Sequence, residues 1–325
     1  MRAQIIGTGA YLPAKVVTNV DLEKIVETTD AWINDRTGIR SRHVAAEGET
    51  TSDMCAAAAR QACAQAGVKP EDVDLIVVGT VTPDMPLPSC AALVQAKLGA
   101  RKAFAFDVLA ACAGSIYGLA VAEKFVVTGQ SKRALVIGAE LLTRIVDWQD
   151  RNTCVLFGDA AGAMLLGPGD GPSGILSTHL HSDGNYAGIL KIPAGGSAQP
   201  ASAETVAARG HYVKMQGKEV FKFAVRALED VCREALAANG LSPGDVQHVV
   251  MHQANLRILE AVVKRLEIPI ERCVINIDRY ANTSSASVPI TLDEANRSGR
   301  LRPGDTVLMA AIGGGIAWGA AVVRW

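Results

Sequence analysis

The stretch "AGVKPEDVDLIVVGT", residues 66–80, returns later in the chain in altered form as "NGLSPGDVQHVVMHQ", residues 239–253. In both copies an alanine-rich helical segment ends at a glycine, a proline turn follows, and a β-branched strand comes next. The interval from Gly67 to Gly240 also separates the matching proline, aspartate and valine positions. The pattern predicts an α/β unit that occurs twice in one chain.

A second correspondence lies downstream of the first. "FDVLAACAGS" and "NIDRYANTSSAS" each carry an apolar strand, an aspartate, and a short turn of small or polar residues before a helix. The interval from Cys112 to Gly129 equals the interval from Asn282 to Gly299. We therefore expect Cys112 and Asn282 to lie at equivalent helix starts. Because strands and helices alternate in both copies, each half is predicted to hold a mostly parallel sheet covered by helices.

The composition limits the partners that we expect. The 325 residues include 32 Lys and Arg against 33 Asp and Glu, so no overall field favours nucleic acid or an anionic membrane. No apolar run approaches the length of a membrane span, and the short run near the start predicts a first strand rather than a secretion signal. The seven cysteines form no C-x-x-C pair, which predicts neither a disulfide framework nor a zinc site and suits a reducing cytoplasm.

Cys112 lies in "LAACAGS", where small residues precede a predicted helix. A helix N-terminus lowers the pKa of a thiol, and the thiolate is the reactive nucleophile. The uncluttered backbone would let a thioester carbonyl approach, with the N–H of the cysteine itself as an oxyanion donor. The alternative is that Cys112 fills space in the core, since free cysteine is among the most buried residue types.

Three other features have two interpretations each. His252 follows the strand residues "VVM" and is either a reactive group at a strand end or a hydrogen-bonded structural residue. Asn282 is either a donor in a site or a helix N-cap. The glycines of "AIGGGIAWG" either let a backbone N–H face a substrate or form a tight hairpin, and they are not a phosphate loop because no G-K-[ST] follows.

Seven segments together resemble the β-ketoacyl-[acyl-carrier-protein] synthase III family of the thiolase superfamily. They are "TTDAWINDRTGIRSRH", "DVLAACAGS", "FGDAAGA", "MQGKEVFKFAV", "HQANLRI", "YANTSSASVP" and "GGGIAWGAAVVRW", and they follow the order of the family along the whole chain. The resemblance implies a homodimer and a five-layered αβαβα thiolase fold of class α/β. It also implies two duplicated halves, residues 1–172 with the cysteine and residues 173–325 with the histidine and asparagine.

The reaction that the resemblance implies is a decarboxylative Claisen condensation. An acyl group passes from acyl-CoA to cysteine, and malonyl-acyl-carrier-protein then loses CO2 and supplies the carbon nucleophile, which initiates type II fatty acid synthesis. Cys112 matches the nucleophile, and His252 and Asn282 match its partners. The backbone N–H groups of Cys112 and Gly314 match the oxyanion hole. The resemblance implies no metal or redox cofactor, and acyl-CoA is a substrate.

The resemblance also assigns substrate contacts. Trp32 and Arg151 match the pair that stacks on the adenine of coenzyme A, a task suited to an indole and a planar guanidinium, although an amphipathic helix anchor is the alternative for Trp32. The remaining matches in the coenzyme A tunnel are Thr28, Arg36, Gly217, Phe221 and Asn255. The basic residues predicted to dock the acidic carrier protein, with an ordinary solvated surface as the alternative, are Lys222, Arg257, Lys264 and Arg265.

The acyl pocket is where this sequence departs from the family pattern. Leu87 stands where members that use short primers often carry phenylalanine, so a longer or branched primer is expected, and Ser115 also leaves the preference open. One alternative function is a starter-selecting ketosynthase or acyltransferase of secondary metabolism. Another is a non-catalytic partner subunit of the thiolase fold, which would be expected to lack the cysteine.

Overall fold

Two β-sheets organise the chain, and the computed structural model describes all of residues 1–325. The strands are β1 (Arg2–Tyr11), β2 (Lys15–Thr18), β3 (Ser41–Val44), β4 (Leu75–Gly79), β5 (Phe104–Val108), β6 (Ala134–Glu140), β7 (Ala160–Gly169), β8 (Gly174–Ser182), β9 (Leu190–Lys191), β10 (Lys214–Met215), β11 (His248–Met251), β12 (Thr306–Gly313) and β13 (Ala317–Arg324). The helices are α1 (Asn19–Leu22), α2 (Asp30–Thr37), α3 (Thr51–Gln65), α4 (Cys90–Leu98), α5 (Gly114–Val127), α6 (Ala203–Ala207), α7 (Gly217–Ala238), α8 (Leu256–Arg265), α9 (Ile277–Tyr280) and α10 (Ser287–Arg297). None of the helices is both long enough and apolar enough to cross a membrane.

The order of the strands confirms the duplication. The first sheet runs β1-β7-β6-β4-β5, and the second runs β8-β13-β12-β11. Strands β8, β12 and β11 follow β1, β6 and β4, respectively, by nearly the same interval along the chain. Strand β13 takes the place of β7, although the connection that precedes it is shorter. The edge strand β5 has no counterpart in the second sheet. The strands of the first sheet lie within residues 2–169 and those of the second within residues 174–324.

The prediction of mostly parallel sheets is wrong, because both sheets are mixed. In the first sheet β4 pairs in parallel with β5 and β6, whereas β7 pairs antiparallel with β1 and β6. In the second sheet only β11 and β12 are parallel. The reason lies in the connections: β12 and β13 are separated by Gly314–Ile316 alone, and so short a link permits only an antiparallel hairpin.

Helices cover both faces of each sheet and produce five layers, in agreement with the expected αβαβα thiolase fold. One buried cluster packs α3 and α4 on the outside of the first sheet, and another packs α7 and α8 on the outside of the second. A third cluster places α5 and α10 between the two sheets. The apolar strands β4 and β6 are buried at every position, as expected for strands covered on both faces.

The two central helices begin differently from α3 and α4, the outer helices of the first sheet. Thr50 caps α3 in a reciprocal pair with Asp53, and Ser89 caps α4. By contrast, α5 and α10 follow the 3₁₀ turns Ala111–Ala113 and Ser284–Ala286 and have no side-chain cap. Their first N–H groups are therefore not bound by side chains at the point where the two halves meet.

The equivalence expected between Cys112 and Asn282 is wrong by three residues. The two 3₁₀ turns are separated by the same interval as Gly67 and Gly240, which pairs Cys112 with Ser285 and leaves Asn282 two residues before its turn. Because α10 has 11 residues and α5 has 14, the glycine after α10 also comes three residues early. The two differences cancel, and this is why the spacing to the following glycine misled the sequence comparison.

Candidate active site

A cavity of about 630 Å³ lies where the two halves meet, and Cys112, His252 and Asn282 all line it. It runs outward between α2, α7 and the start of α8. Several of the residues expected at coenzyme A and at the carrier protein also line it, namely Trp32, Arg36, Arg151, Gly217, Phe221, Lys222, Asn255 and Arg257. The structure thus brings the three expected reactive residues and most of the expected substrate contacts into one space.

Cys112 lies within the turn that begins α5, and 8% of its surface is exposed. Ala111 holds the left-handed backbone conformation, with φ of 45°, which turns the chain sharply before the cysteine. Gly313, at the end of β12, approaches so closely that a Cβ atom there would lie 2.6 Å from the Cys112 amide nitrogen. A side chain at this position would clash with the turn that holds Cys112, so only glycine fits at this end of β12. The three consecutive glycines therefore form the hairpin and also leave room for the Cys112 turn.

The electrostatics of Cys112 differ from the prediction made from its helix start. Burial raises the pKa of the Cys112 thiol to about 12, and the nearby negative charge of Glu140 adds to the rise. A hydrogen bond with Ser284 and the backbone amide of the cysteine oppose these effects without overcoming them. Desolvation therefore outweighs the helix terminus, and a free thiolate is scarce at neutral pH.

His252 directly follows β11, as predicted from the strand pattern, and is 3% exposed. Burial lowers the pKa of its imidazole to about 4, so the ring is neutral at physiological pH. Nδ1 lies 2.7 Å from the Ser287 hydroxyl at the start of α10. This contact fixes the ring and leaves Nε2 as the nitrogen that can meet a bound group.

Asn282 is held in place by residues from the first half. Its backbone N–H donates to Leu156 O at 2.9 Å, and its backbone carbonyl accepts from the Gly158 N–H at 3.0 Å. The side-chain Oδ1 accepts from the Ser284 amide at 2.9 Å. Because that bond occupies the oxygen, the Nδ2 donors are the part of the side chain left for a ligand in the cavity. Asn282 is not the N-cap of α10, whose N-cap residue is Ala286.

The mouth of the cavity carries an aromatic ring with two cationic neighbours. The guanidinium carbons of Arg36 and Arg151 lie 4.5 Å and 5.2 Å from the centre of the Trp32 ring, within cation–π range. The Asn255 side chain donates to Arg36 O at 3.0 Å and accepts from the Arg257 amide at 2.9 Å, which joins the end of α2 to the start of α8.

The other predicted site residues lie outside this cavity; they are Thr28, Leu87, Ser115, Lys264, Arg265 and Gly314. Ser115 is fully buried and its hydroxyl has no hydrogen-bond partner. Leu87 is 84% exposed on the surface of its own chain. Arg265 pairs with Glu229 at 2.9 Å, and Gly314 follows Gly313 at the cavity wall.

The sequence analysis missed a buried acid beside the cavity. Glu140 ends β6, and the hydroxyls of Ser284 and Ser285 lie 3.1 Å and 3.2 Å from its Oε1. The signal was present in "ALVIGAE", where an otherwise apolar and fully buried strand ends in a carboxylic acid. No group of three or more His, Cys, Asp or Glu side chains is arranged to hold a metal ion.

Comparison with known proteins agrees with this architecture. Models of the two parts of the 3-oxoacyl-[acyl-carrier-protein] synthase III family match residues 106–184 and, for its C-terminal part, residues 236–325. A beta-ketoacyl-[acyl-carrier-protein] synthase III of Rhodospirillum centenum is 54% identical over 329 residues, covering 100% of this chain and 99% of that protein.

Solved structures extend the comparison to the fold. The 3-oxoacyl-[acyl-carrier-protein] synthase III of Aquifex aeolicus VF5 is 46% identical, with a TM-score of 0.92 over 99% of this chain and 100% of that one. The priming β-ketosynthase of the R1128 polyketide biosynthetic pathway is 37% identical, with a TM-score of 0.92 over 99% of this chain and 96% of that one. The chain belongs to the 3-oxoacyl-[acyl-carrier-protein] synthase III family.

Proposed function

We propose that the protein is an acyltransferase that initiates type II fatty acid synthesis. It condenses an acyl-CoA primer with malonyl-acyl-carrier-protein and releases 3-oxoacyl-acyl-carrier-protein, CO2 and coenzyme A. The observation that carries the proposal is the convergence of Cys112, His252 and Asn282 on one cavity. Formation of an acetoacetyl-carrier protein from acetyl-CoA and malonyl-carrier protein by the purified protein tests it directly.

In the first half-reaction, Cys112 takes the acyl group. Its sulfur attacks the thioester carbon, and the N–H groups of Cys112 and Gly314 stabilise the negative charge that develops on the carbonyl oxygen. The tight approach of Gly313 to the Cys112 amide supports this role, because it brings the end of β12 against the nucleophile turn. Coenzyme A then leaves as the thiol.

In the second half-reaction, His252 and Asn282 stabilise the enolate that forms as malonyl-carrier protein loses CO2. In this proposal His252 Nε2 faces the thioester oxygen and donates a proton to it, while Nδ1 lies 2.7 Å from the Ser287 hydroxyl. The Asn282 Nδ2 group supplies a second donor. The enolate carbon then attacks the acyl group on Cys112, and no further cofactor is required by this chemistry.

The mouth of the cavity binds the nucleotide of coenzyme A in this proposal, with Trp32 as the stacking surface. We expect Trp32→Ala to raise the KM for acetyl-CoA about tenfold, roughly 1.4 kcal/mol of binding, with little change in kcat, because the lost contact is far from the reacting carbonyl. Steady-state kinetics with saturating malonyl-carrier protein measures both constants. Trp325→Ala is the matched control, since Trp325 lies away from the cavity; an equal rise in KM there would contradict a specific role for Trp32.

The acidic carrier protein docks, in this proposal, on basic side chains around the same mouth. Lys222 and Arg257 support this because both are exposed and both line the cavity. Lys264 and Arg265 lie further along α8 and extend the basic surface. The seven free cysteines support a reducing compartment, and the cytoplasm is the proposed location.

We also propose that two copies of the chain form a homodimer through the edge of the first sheet. Leu87 and Leu109 are 84% and 81% exposed, and Leu109 directly follows the edge strand β5. Large exposed apolar side chains beside an unpaired strand edge support association with a second copy. Leu87 would then close the acyl pocket of the partner.

The primer preference follows from Leu87. We expect the protein to accept acyl-CoA primers longer than acetyl, and Leu87→Phe to lose the longer primers while it keeps acetyl, because phenylalanine fills more of the pocket. A panel of straight and branched acyl-CoAs with malonyl-carrier protein measures this, with Leu180→Phe as a control on another surface. A wild-type protein that uses acetyl-CoA alone would reject this assignment.

A second candidate function is selection of a starter unit in secondary metabolism. The 37% identity to the priming β-ketosynthase of the R1128 pathway favours it, whereas the 54% identity to a beta-ketoacyl-[acyl-carrier-protein] synthase III favours the first candidate. The same primer panel separates them if it is run with carrier proteins of both kinds. A non-catalytic partner subunit is disfavoured by the presence of all three reactive residues.

A further inference from the structure

A buried arginine lies behind the wall of the cavity, and the mechanism above gives it no role. Arg42 lies in β3, and none of its surface is exposed to solvent. Burial lowers the pKa of its guanidinium to about 10, so the group stays charged at neutral pH. The guanidinium donates only to neutral oxygens, which belong to Val17, Asn19 and Val155. Because a buried charge without a carboxylate partner is costly, these bonds are what offsets its burial.

The two terminal nitrogens of Arg42 face different parts of the chain. Nη1 donates to Asn19 Oδ1 at 2.9 Å and to Val17 O at 3.3 Å, where β2 meets α1. Nη2 donates to Val155 O at 2.8 Å. Val155 belongs to residues 151–158, here called the wall segment because most of its side chains line the cavity. The fork of the guanidinium therefore joins the wall segment to an element more than a hundred residues away in sequence.

Asn19 continues this connection to α2, the helix that carries Trp32. Asn19 is fully buried, and its Nδ2 donates to Asp30 Oδ1 at 2.9 Å and to Ile39 O at 2.7 Å. Asp30 is the first residue of α2, and Ile39 lies two residues beyond its end. Both ends of the helix are thus bound to the side chain whose oxygen accepts from Arg42. A continuous set of hydrogen bonds runs from α2 to the wall segment.

The wall segment supplies the cation beside the Trp32 ring. It begins at Arg151, whose guanidinium carbon lies 5.2 Å from the centre of that ring and whose Nη1 donates to Glu27 O at 3.1 Å. Ile33 of α2 and Val155 of the wall segment belong to one apolar cluster, so the two elements also pack together. The separation between α2 and the wall segment therefore decides whether Trp32 and Arg151 face each other across the cavity mouth.

The wall segment also holds Asn282. The Asn282 N–H donates to Leu156 O at 2.9 Å, the Gly158 N–H donates to Asn282 O at 3.0 Å, and Phe157 forms a bridge with Asn282 between them. Leu156 directly follows Val155, whose carbonyl accepts from the buried guanidinium. A shift of the wall segment would therefore move the backbone of Asn282 as well.

We propose that Arg42 is a positioning residue that holds the wall segment against α2, and thereby places Arg151 beside Trp32 and Asn282 in the cavity; this rests on the proposed function. An apolar side chain at position 42 would fill the same space, but its contacts have no preferred direction. The guanidinium instead sets the separation of the two elements through bonds of defined geometry from a planar fork.

Arg42→Met tests the effect on coenzyme A, because methionine keeps apolar bulk and removes the bonds. We expect the KM for acetyl-CoA in the acylation of Cys112 to rise about tenfold, since Trp32 and Arg151 are no longer held in place. Acylation by the acetyl thioester of N-acetylcysteamine, which lacks the nucleotide, should keep its wild-type rate, because Cys112 lies in the turn before α5. Rapid quenching and intact mass measure the reaction with both donors.

The effect on Asn282 is measured with the acyl-enzyme made from the short donor, which is mixed with malonyl-carrier protein for a single turnover. We expect Arg42→Met to release CO2 about tenfold more slowly, because the Asn282 donor is misplaced. Arg272→Met is the matched control. Arg272 also donates to two backbone carbonyls, Gly244 O at 3.0 Å and Val246 O at 2.7 Å, but does not line the cavity. Its replacement should leave both measurements at their wild-type values.

Arg42→Lys carries the same measurements if thermal unfolding shows that Arg42→Met does not fold. Lysine keeps the charge but has one nitrogen in place of the fork, so we expect both changes at a smaller size, about threefold. A folded variant at position 42 with wild-type KM and CO2 release would overturn the proposal. So would a change in only one of the two measurements, since one segment carries both residues.

Equal slowing with the two acetyl donors would also overturn the proposal, because that result indicates general damage to the site. The same holds if Arg272→Met reproduces the changes seen in Arg42→Met. A wild-type protein that neither donor acylates would instead reject the proposed function, and the role of Arg42 with it.

Discussion

Acetyl-CoA is expected to leave one acetyl group on Cys112, and Cys112→Ala is expected to stay unmodified and to lose condensation by at least about 10⁴-fold. The reason is that no other group in the cavity can form the thioester intermediate. Cys112 lines the cavity and is partly exposed there, whereas Cys55, Cys63, Cys90, Cys154 and Cys232 are fully buried in the core clusters. Intact mass followed by peptide mapping locates the group.

The matched control for this experiment is Cys232→Ala, on the core face of α7. This variant makes the same cysteine-to-alanine change at a position far from the reacting groups, so acylation and condensation should both persist. Thermal unfolding of both variants separates loss of chemistry from loss of fold. An acetyl adduct that persists on another cysteine in Cys112→Ala would contradict the assignment of the nucleophile.

His252→Ala and Asn282→Ala are expected to retain acylation of Cys112 and to lose decarboxylative condensation by about 10²- to 10³-fold each. The physical reason is that each removes one donor aimed at the enolate oxygen, whereas the oxyanion donors of acyl transfer are backbone groups. Release of CO2 from malonyl-carrier protein and the mass of the acyl-enzyme measure the two half-reactions separately. Because both donors serve one oxygen, the double variant should lose less than the product of the single effects.

His248→Ala is the control for this pair, because His248 contacts Asp305 at 3.0 Å, outside the cavity, and should leave both half-reactions intact. If His252→Ala slows acylation as much as condensation, the histidine acts in acyl transfer, and its proposed restriction to decarboxylation is wrong.

Local patterns were sufficient for the parts of the site that depend on local structure. The small residues around Cys112 predicted a helix start, and the apolar run before His252 predicted a strand end, and both are present. The position of Asn282 depends instead on pairing with Phe157, far away along the chain. No spacing in the sequence reveals that pairing, so the position expected for Asn282 relative to Cys112 was wrong by three residues.

Three other errors share a physical cause, which is that the tertiary context overrode a local rule. The helix start alone predicts a lowered thiol pKa for Cys112, but the surrounding core removes water and raises it. The apolar pattern of β13 predicts burial correctly and says nothing of strand direction, which the short link after β12 decides. Glu140 was missed because an acid after an apolar strand usually lies in solvent, whereas here the segment after β4 and the turn before α10 both cover it.

The central layer has a consequence for how the protein unfolds. The largest apolar cluster contains Val77 and Ile116 from the first half together with Val250 and Val288 from the second. Neither half alone could keep α5 or α10 out of water, so the two halves cannot fold as independent units. We therefore expect this core to unfold as one unit, so that the nucleophile turn and its counterpart separate together. We expect catalytic activity to be lost in the same transition as this core.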